Sequence, residues 1–552
     1  RESSTYPRKT MAKICAASLL SLLALLATGP STSRCAQGFV NRLQQQQPLS
    51  ISPTTRTPTL LLQPAFVSFR GGETTVASSA SSFSSSLASE AVASSDADVT
   101  ETVPSWESLE SDLEKLRSSS SDGKEKKPVL TLYRDTNGWC PFCERVWVAV
   151  RAKGLPYQET LVPLQGKPEW YKQMVPTGLV PAVLFHGDED SGSDSDASTS
   201  RELVWESDAI LEALDAKFPD TPRLMRKGEK AFDDAFDLQN RLQAAGFTFA
   251  YGNRNGTLTD EEIQKNRDDF ESALNELDAA LAEQASAIGT EKCFRLGAEF
   301  SGIDAIMVPT LERWRYQLPI TNDVDILEHR IHLKNWFDTM DSYEAYGGRV
   351  AGDEYSWTAT ASMFLRYFGG GEDKPQVAAG IARADAAAEK FAREFVSSSI
   401  DSAHQQEAAL EAAAKLISNH EAVVADCLRE EPLSQKHIPR AASTSTSSGT
   451  DTADVLLRHV VSVLLELAAA PSPPSSSTAA TDLLVDYDAA ATAQGALALR
   501  TVSKRLCVPR DMGAPSAALL RRILCSVAND LHVDNDDKEG SNTAGTREAV
   551  VS

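Results

Sequence analysis

The chain has 552 residues, room for about two to four domains, and its 42% apolar and 24% charged residues allow real cores. Its net charge of −23 is uneven: residues 1–72 hold eight basic residues and one acid, +7, which leaves −30 on 73–552 and excludes a nucleic-acid-binding body, because phosphates need a basic face. The eight cysteines, at 15, 35, 140, 143, 293, 427, 507 and 525, are too scattered for a disulfide framework, and with no second Cys-x-x-Cys or His pair at ligand spacing no metal site is expected.

The first methionine is Met11, and residues 1–37 read as upstream residues followed by a signal-peptide-like segment. Lys13 precedes an apolar run, Ile14 to Thr28, that falls short of the roughly 20 residues of a membrane span. Ser33, Cys35 and Ala36 are small residues suited to cleavage, so no membrane span is expected after processing. Residues 38–100 read as a transit peptide and disordered linker. They lack acids up to Gly72, carry Arg42, Arg56 and Arg70 among Ser, Thr, Gln and Pro, and end in an Ala/Ser tract too poor in large apolar side chains to fold. With Phe39 near the junction, this two-part leader resembles the plastid address of algae with secondary plastids. A secreted protein with a disordered N-terminus is the alternative. Ser105–Arg117 places Trp106, Leu109, Leu113 and Leu116 on one side of a short amphipathic helix.

Residues 128–222 alternate strand and helix signals in the order βαβαββα. Val129–Tyr133, Tyr157–Pro163, Val180–His186 and Glu202–Trp205 are strand-like. Glu144–Lys153, Trp170–Met174 and Ser207–Lys217 are helical, the first ended by Gly154. The order is that of a thioredoxin-like α/β fold. Gly-Trp-Cys-Pro-Phe-Cys-Glu-Arg at 138–145 lies directly after the first strand, so Cys140 sits at the N-terminus of a helix. Helix-end N–H groups and the positive end of the macrodipole stabilise a thiolate there, and a thiolate attacks disulfides and electrophilic carbon where a thiol does not. Cys143 is either a resolving partner or a buried, inert thiol. Asp188–Ser200, acidic and Ser-rich, interrupts the third and fourth strands and reads as a disordered loop.

These residues resemble the cysteine-type glutathione transferases, of the omega, lambda, dehydroascorbate-reductase and iota kinds. Cys140-Pro-Phe-x-Glu-Arg145 is similar to the omega active-site run. Lys167-Pro-Glu-Trp170 is similar to the segment whose lysine contacts glutathione. The resemblance implies that Val180 pairs through its backbone with the cysteinyl part of glutathione, that Pro181 is cis, and that Glu206 and Ser207 take the γ-glutamyl end. Glutathione is then the co-substrate, and no metal is needed.

Residues 224–345 continue with helical periodicity, Phe270, Ala273, Leu274, Leu277 and Leu281 recurring at three and four. Ser301-Gly-Ile-Asp304 is a capping box before a helix over Ala305–Tyr316, and it resembles the box that opens a buried helix in the family's all-helical domain. The family's second-substrate site lies between the two domains, and candidates for its wall are Trp314, Arg315 and Tyr316, with Tyr251 and Arg254. For Trp314 core packing is the competing reading. Residues 350–534 read as a mostly helical extension that carries no chemistry of its own, with Trp357, Phe364, Tyr367 and Phe368 docking its first part and Ser/Thr linkers at Ala441–Ala453 and Pro471–Ala480. Residues 535–552 read as a disordered tail. The expected function is a glutathione-dependent thiol transferase or reductase acting on small molecules or glutathionylated proteins. The alternative is a non-catalytic ligand-binding or scaffold protein of the same fold. Homodimer contacts remain open.

Overall fold

The computed structural model describes residues 103–120, 127–187, 201–253, 258–368, 374–397, 404–427, 447–469, 482–484 and 487–540. All belong to one compact unit, Ala65–Ser552. The leader, the 188–200 insertion, Arg254 and the 471–480 linker lie outside the described residues.

A helix α1, Trp106–Ser120, precedes β1, Leu130–Asp135, and α2, Pro141–Ala152. There follow β2, Tyr157–Val162; α3, Glu169–Met174; β3, Ala182–Phe185; β4, Glu202–Trp205; and α4, Ser207–Lys217. The sheet order is β2-β1-β3-β4, with β1 parallel to β2 and antiparallel to β3. Every residue of the central β1 is buried, as expected of a strand covered on both faces. Its one cation, Arg134, is accommodated by Glu159 at 2.6 Å and by the Trp147 ring at 3.9 Å. The predicted βαβαββα order stands, with element ends moved by up to three residues. Pro141 at the first helical position has no N–H to leave unpaired, and Gly154 at φ +63 provides the left-handed exit.

The second domain is α5, Lys230–Tyr251; α6, Asp260–Ile288; α7, Gly302–Thr321; α8, Ile331–Ser342; and the short α9, Glu344–Gly347. The capping residues act as predicted: Ser301 N–H and hydroxyl donate to Asp304 Oδ2, while Arg295 N–H and Trp336 Nε1–H donate to Oδ1. One apolar core runs from β1 and α2 through α5 to α8 and on to Val350 and Ala351, past the predicted boundary at 345.

The extension holds α10, Glu354–Phe368; α11, Pro375–Arg393; α12, Gln405–Cys427; α13, Ser447–Ala469; α14, Ala489–Arg505; and α15, Ala514–Gly540. Two expectations are corrected. Residues 447–453, read as linker, form the first turns of α13, and residues 535–540, read as tail, continue α15. Helices α12 to α15 enclose a second apolar core, and α1 joins it through Leu109 and Leu113. Trp106 Nε1–H donates to Asp454 at 2.8 Å and its ring stacks on His420 at 4.3 Å. Among the described residues no helix is long and apolar enough to cross a membrane.

Candidate functional site

Cys140 is the N-cap residue of α2, and its thiol is directed at the Val180 carbonyl at 3.9 Å. The Val180–Pro181 bond is cis. Cys140 is buried at 9% exposed, and Cys143, at 1% exposed, is more deeply buried. Burial, then the neighbouring Cys140, pushes the Cys143 thiol well above the usual thiol range. Both cysteines are free thiols.

Lys167 stands before α3, its ammonium donating to the Leu164 carbonyl at 3.0 Å, and burial holds it below the usual lysine range while both sulfurs pull it back up. Ser207 opens α4, buried, its hydroxyl 3.4 Å from Asp208 Oδ1. Glu206, immediately before it, takes φ +71, and burial followed by Asp208 raises its carboxyl. Cys140 and Val180 are thus in contact at the start of α2, with cis Pro181 following Val180, and Lys167 interacts electrostatically with the Cys140 and Cys143 sulfurs.

The second-substrate candidates fare differently. Trp314 is 2% exposed in the core of the helical domain, packed edge-on against Phe270 at 5.0 Å and lying over Gly246, where a Cβ would run into its ring. It is a core residue, because only a side chain of its size fills the space that Gly246 leaves between α5 and α7. Tyr316 lies beneath Arg315, with Glu312, Asp341 and Asp353 as its other charged neighbours. Arg315 is paired with Asp341 at 2.9 Å, and Tyr251 packs against Phe247 at 5.7 Å.

Several residues around the sulfur were not singled out from the sequence. Glu144 and Arg313, both buried, pair at 2.8 Å across the two domains. Arg313 also donates to the Trp139 carbonyl at 3.1 Å and to the Gly138 carbonyl at 3.4 Å, and sits 4.5 Å over the Trp357 ring. Burial pushes the Glu144 carboxyl up to about 8 against the pull of Arg313. Arg145 links α2 to α5 through Gln243 at 2.8 Å and to α4 through Asp208 at 3.6 Å. A local pattern could not reveal these pairs, since each joins residues far apart in the chain.

The extension reaches the same loop. A Cβ on Gly138 would lie 2.9 Å from the Pro509 ring, and Phe364 of α10 meets Trp139 edge-on at 5.8 Å. Trp139, Tyr355, Thr360, Met363, Cys507 and Arg510 line a narrow cleft between this loop and the extension. Trp357 is buried, as predicted for a docking residue, while the side chains of Tyr367 and Phe368 lie outside the described set.

Residues 139–217 match the family model described as glutathione S-transferase, N-terminal domain. Over 94 residues, 17% of this chain, the sequence is 38% identical to glutathione S-transferase DHAR3, chloroplastic, of Arabidopsis thaliana. Over 220 residues, 38% of this chain, it is 27% identical to glutathione S-transferase L2, chloroplastic, of the same plant. The chain spans 31% and 62% of the length of these two relatives. A crystal structure of Chlamydomonas reinhardtii dehydroascorbate reductase is 20% identical over 40% of this chain and 91% of its own, with a TM-score of 0.32. The segment from Trp139 to Lys217 therefore matches a glutathione S-transferase N-terminal domain, and in this chain it is followed by an all-helical domain and a helical extension.

Proposed function

We propose that this chain is a glutathione-dependent thiol transferase or reductase that works through the Cys140 thiolate. The carrying observation is the Cys140 thiol at the start of α2, 3.9 Å from the Val180 carbonyl. A tripeptide laid along Val180 as an added strand brings its own sulfur to Cys140. Glu206 takes the γ-glutamyl ammonium, Ser207 and the N-terminus of α4 take its carboxylate, and Lys167 takes the opposite end. Pro181 shapes the Val180 turn. Lys167, Arg145 and Arg313 each interact electrostatically with the Cys140 sulfur, which sets three cations around it.

In the first half-reaction the Cys140 thiolate attacks the glutathione sulfur of a mixed disulfide. A Cys140–glutathione disulfide forms and the acceptor leaves as thiolate. In the second, a glutathione thiolate attacks that disulfide, glutathione disulfide leaves, and the Cys140 thiolate is restored. The substrate is a glutathionylated protein or dehydroascorbate, and the place of action is the plastid. With dehydroascorbate the Cys140 thiolate first adds to a carbonyl carbon, one glutathione thiolate then attacks the Cys140 sulfur so that ascorbate leaves and the Cys140–glutathione disulfide forms, and a second glutathione resolves it as above. Relatives that carry chloroplastic, dehydroascorbate-reductase and lambda-type names support this reading.

Deglutathionylation of a fluorescent glutathionylated peptide by wild-type, Cys140→Ser and Cys143→Ser protein tests the proposal. Activity lost in the first variant and retained in the second supports it. Full activity in Cys140→Ser refutes it. Tight glutathione binding with no turnover on any disulfide favours the non-catalytic reading.

A further inference from the structure

Five residues before Cys140, at the end of β1, stands Asp135, with 0% of its surface exposed. One carboxylate oxygen, Oδ2, accepts the Trp139 N–H at 2.8 Å. The other, Oδ1, is buried without a hydrogen-bond partner among the described residues. A buried acceptor without a partner destabilises the fold unless something else engages it. A carboxylate oxygen of Asp135 and the sulfurs of Cys140 and Cys143 all lie within 4.8 Å of one another.

We infer that Asp135, Cys140 and Cys143 form a binding site for a thiophilic divalent cation of the zinc class, with the fourth position taken by a water molecule. A tetrahedral ion with bonds of about 2.3 Å to sulfur and 2.0 Å to oxygen needs its donors roughly 3.5–3.8 Å apart. The three donors reach that spacing by contracting about 1 Å, within the range of rotation about the cysteine χ1 bonds. Two thiolates and one carboxylate suit zinc; calcium and magnesium take oxygen alone. Binding replaces both thiol protons, which pass to solvent, and leaves the ion held by a net charge of −3. Arg145, Arg313 and Lys167, charged neighbours of Cys140, offset the remaining negative charge.

The site depends on the cysteines being reduced and not on the glutathione reading above. It has one consequence for that reading: an ion on Cys140 and a glutathione disulfide on Cys140 exclude each other. A zinc-class ion is then a reversible inhibitor that the substrate disulfide cannot displace without reaching the same sulfur.

Reduced, metal-stripped full-length protein is titrated calorimetrically with zinc. Protection of Cys140 from iodoacetamide is followed by mass spectrometry, and glutathione binding is measured separately. The expected result is one zinc per chain, zinc-dependent protection of Cys140, and affinity lowered at least about tenfold by Asp135→Asn or Cys143→Ser. Cys507→Ser is expected to bind as wild type. Asparagine keeps an acceptor for the Trp139 N–H, so Asp135→Asn removes the charge without removing the structural bond. X-ray absorption on the zinc-loaded wild-type protein, which needs no variant to fold, should show two sulfurs and two lighter ligands. Wild-type affinity in Asp135→Asn, no protection of Cys140, or a different sulfur count overturns the inference. Glutathione binding that survives such a result leaves the proposed function standing.

Discussion

Replacing Gly138 by alanine tests whether the extension presses on the loop that carries Cys140. Gly138 has φ +69, where an L side chain costs about 1–2 kcal/mol. Its new Cβ would also lie 2.9 Å from Pro509 Cγ and 3.4 Å from Cδ. The proline ring cannot swing aside cheaply, because Arg349 donates to the Pro509 carbonyl at 2.7 Å and the Val508 N–H donates to Ser356 Oγ at 2.9 Å. Overpacking of this kind costs about 1–3 kcal/mol, so the variant should lose roughly 2–5 kcal/mol in all. Gly154→Ala is the matched control: φ is +63 and nothing lies within 4 Å of the added Cβ. It should lose about 1 kcal/mol, part of the backbone cost being offset by lower entropy in the unfolded chain. Urea unfolding of both variants, and of Gly138→Ala with Pro509→Ala, reads the difference. The double variant should recover about 1 kcal/mol or more, and Cys140 alkylation should be faster in Gly138→Ala as the loop is pushed off the extension. Equal losses at Gly138 and Gly154, with no recovery in the double variant, would show that Pro509 does not hold the loop.

Trp314→Ala should cost about 3–5 kcal/mol and leave the glutathione KM of the surviving fold unchanged, since the ring fills the core above Gly246; a changed KM with unchanged stability would return Trp314 to the site wall. Glu144 is raised from 4.5 to about 8 by burial, so between those values the folded chain keeps a proton that the unfolded chain releases. Its contribution to stability is complete below pH 4.5 and is lost as pH rises towards 8. Glu144→Gln should flatten that slope in urea midpoints taken at pH 5 and pH 8, and parallel curves for variant and wild type would contradict it. Trp106→Ala removes the bond to Asp454 and the stack on His420, and should release α1 to proteolysis while Cys140 alkylation stays as in wild type. Equal resistance to protease would mean that α1 is held by Leu109 and Leu113 alone.

What could be read from the sequence follows from the range of the signals. The alternation that predicts β1 to α4 is local, and so are Pro141 at a helix start and Gly154 at its end; those elements appear with ends displaced by at most three residues. The ordered motifs name Cys140, Val180 and Pro181 together, and in the fold the Cys140 thiol lies 3.9 Å from the Val180 carbonyl. Trp314 shows the limit of the same method. An aromatic residue on an amphipathic helix gives one signal whether it lines a cleft or fills a core, and only Gly246 on another helix decides between them. The 447–453 segment misled for a related reason: its Ser, Thr and Gly composition resembles a linker, yet the strongly apolar face from Ala453 to Leu467 carries the helix back through it.

The largest omission concerns the extension, and its cause bears on function. Read alone, α10 to α15 is an Ala-rich helical array with no chemistry. Among the described residues it meets the loop before the sulfur at Gly138 and Trp139. Pro509 rests on Gly138, Phe364 meets Trp139, and Trp357 lies under the Arg313 guanidinium that holds both carbonyls. Arg313 in turn is tied to Glu144, one residue beyond Cys143. These contacts set the extension against the loop that carries the thiol. Its removal should alter the reactivity of Cys140 more than the binding of glutathione, whose proposed contacts at Lys167, Val180, Glu206 and Ser207 all lie in the thioredoxin-like domain. A chain truncated after Ala351 that binds glutathione as the full chain does, but whose Cys140 reacts with iodoacetamide at a different rate, would separate the two effects. Equal loss of both would mean that the extension is needed for the fold as a whole.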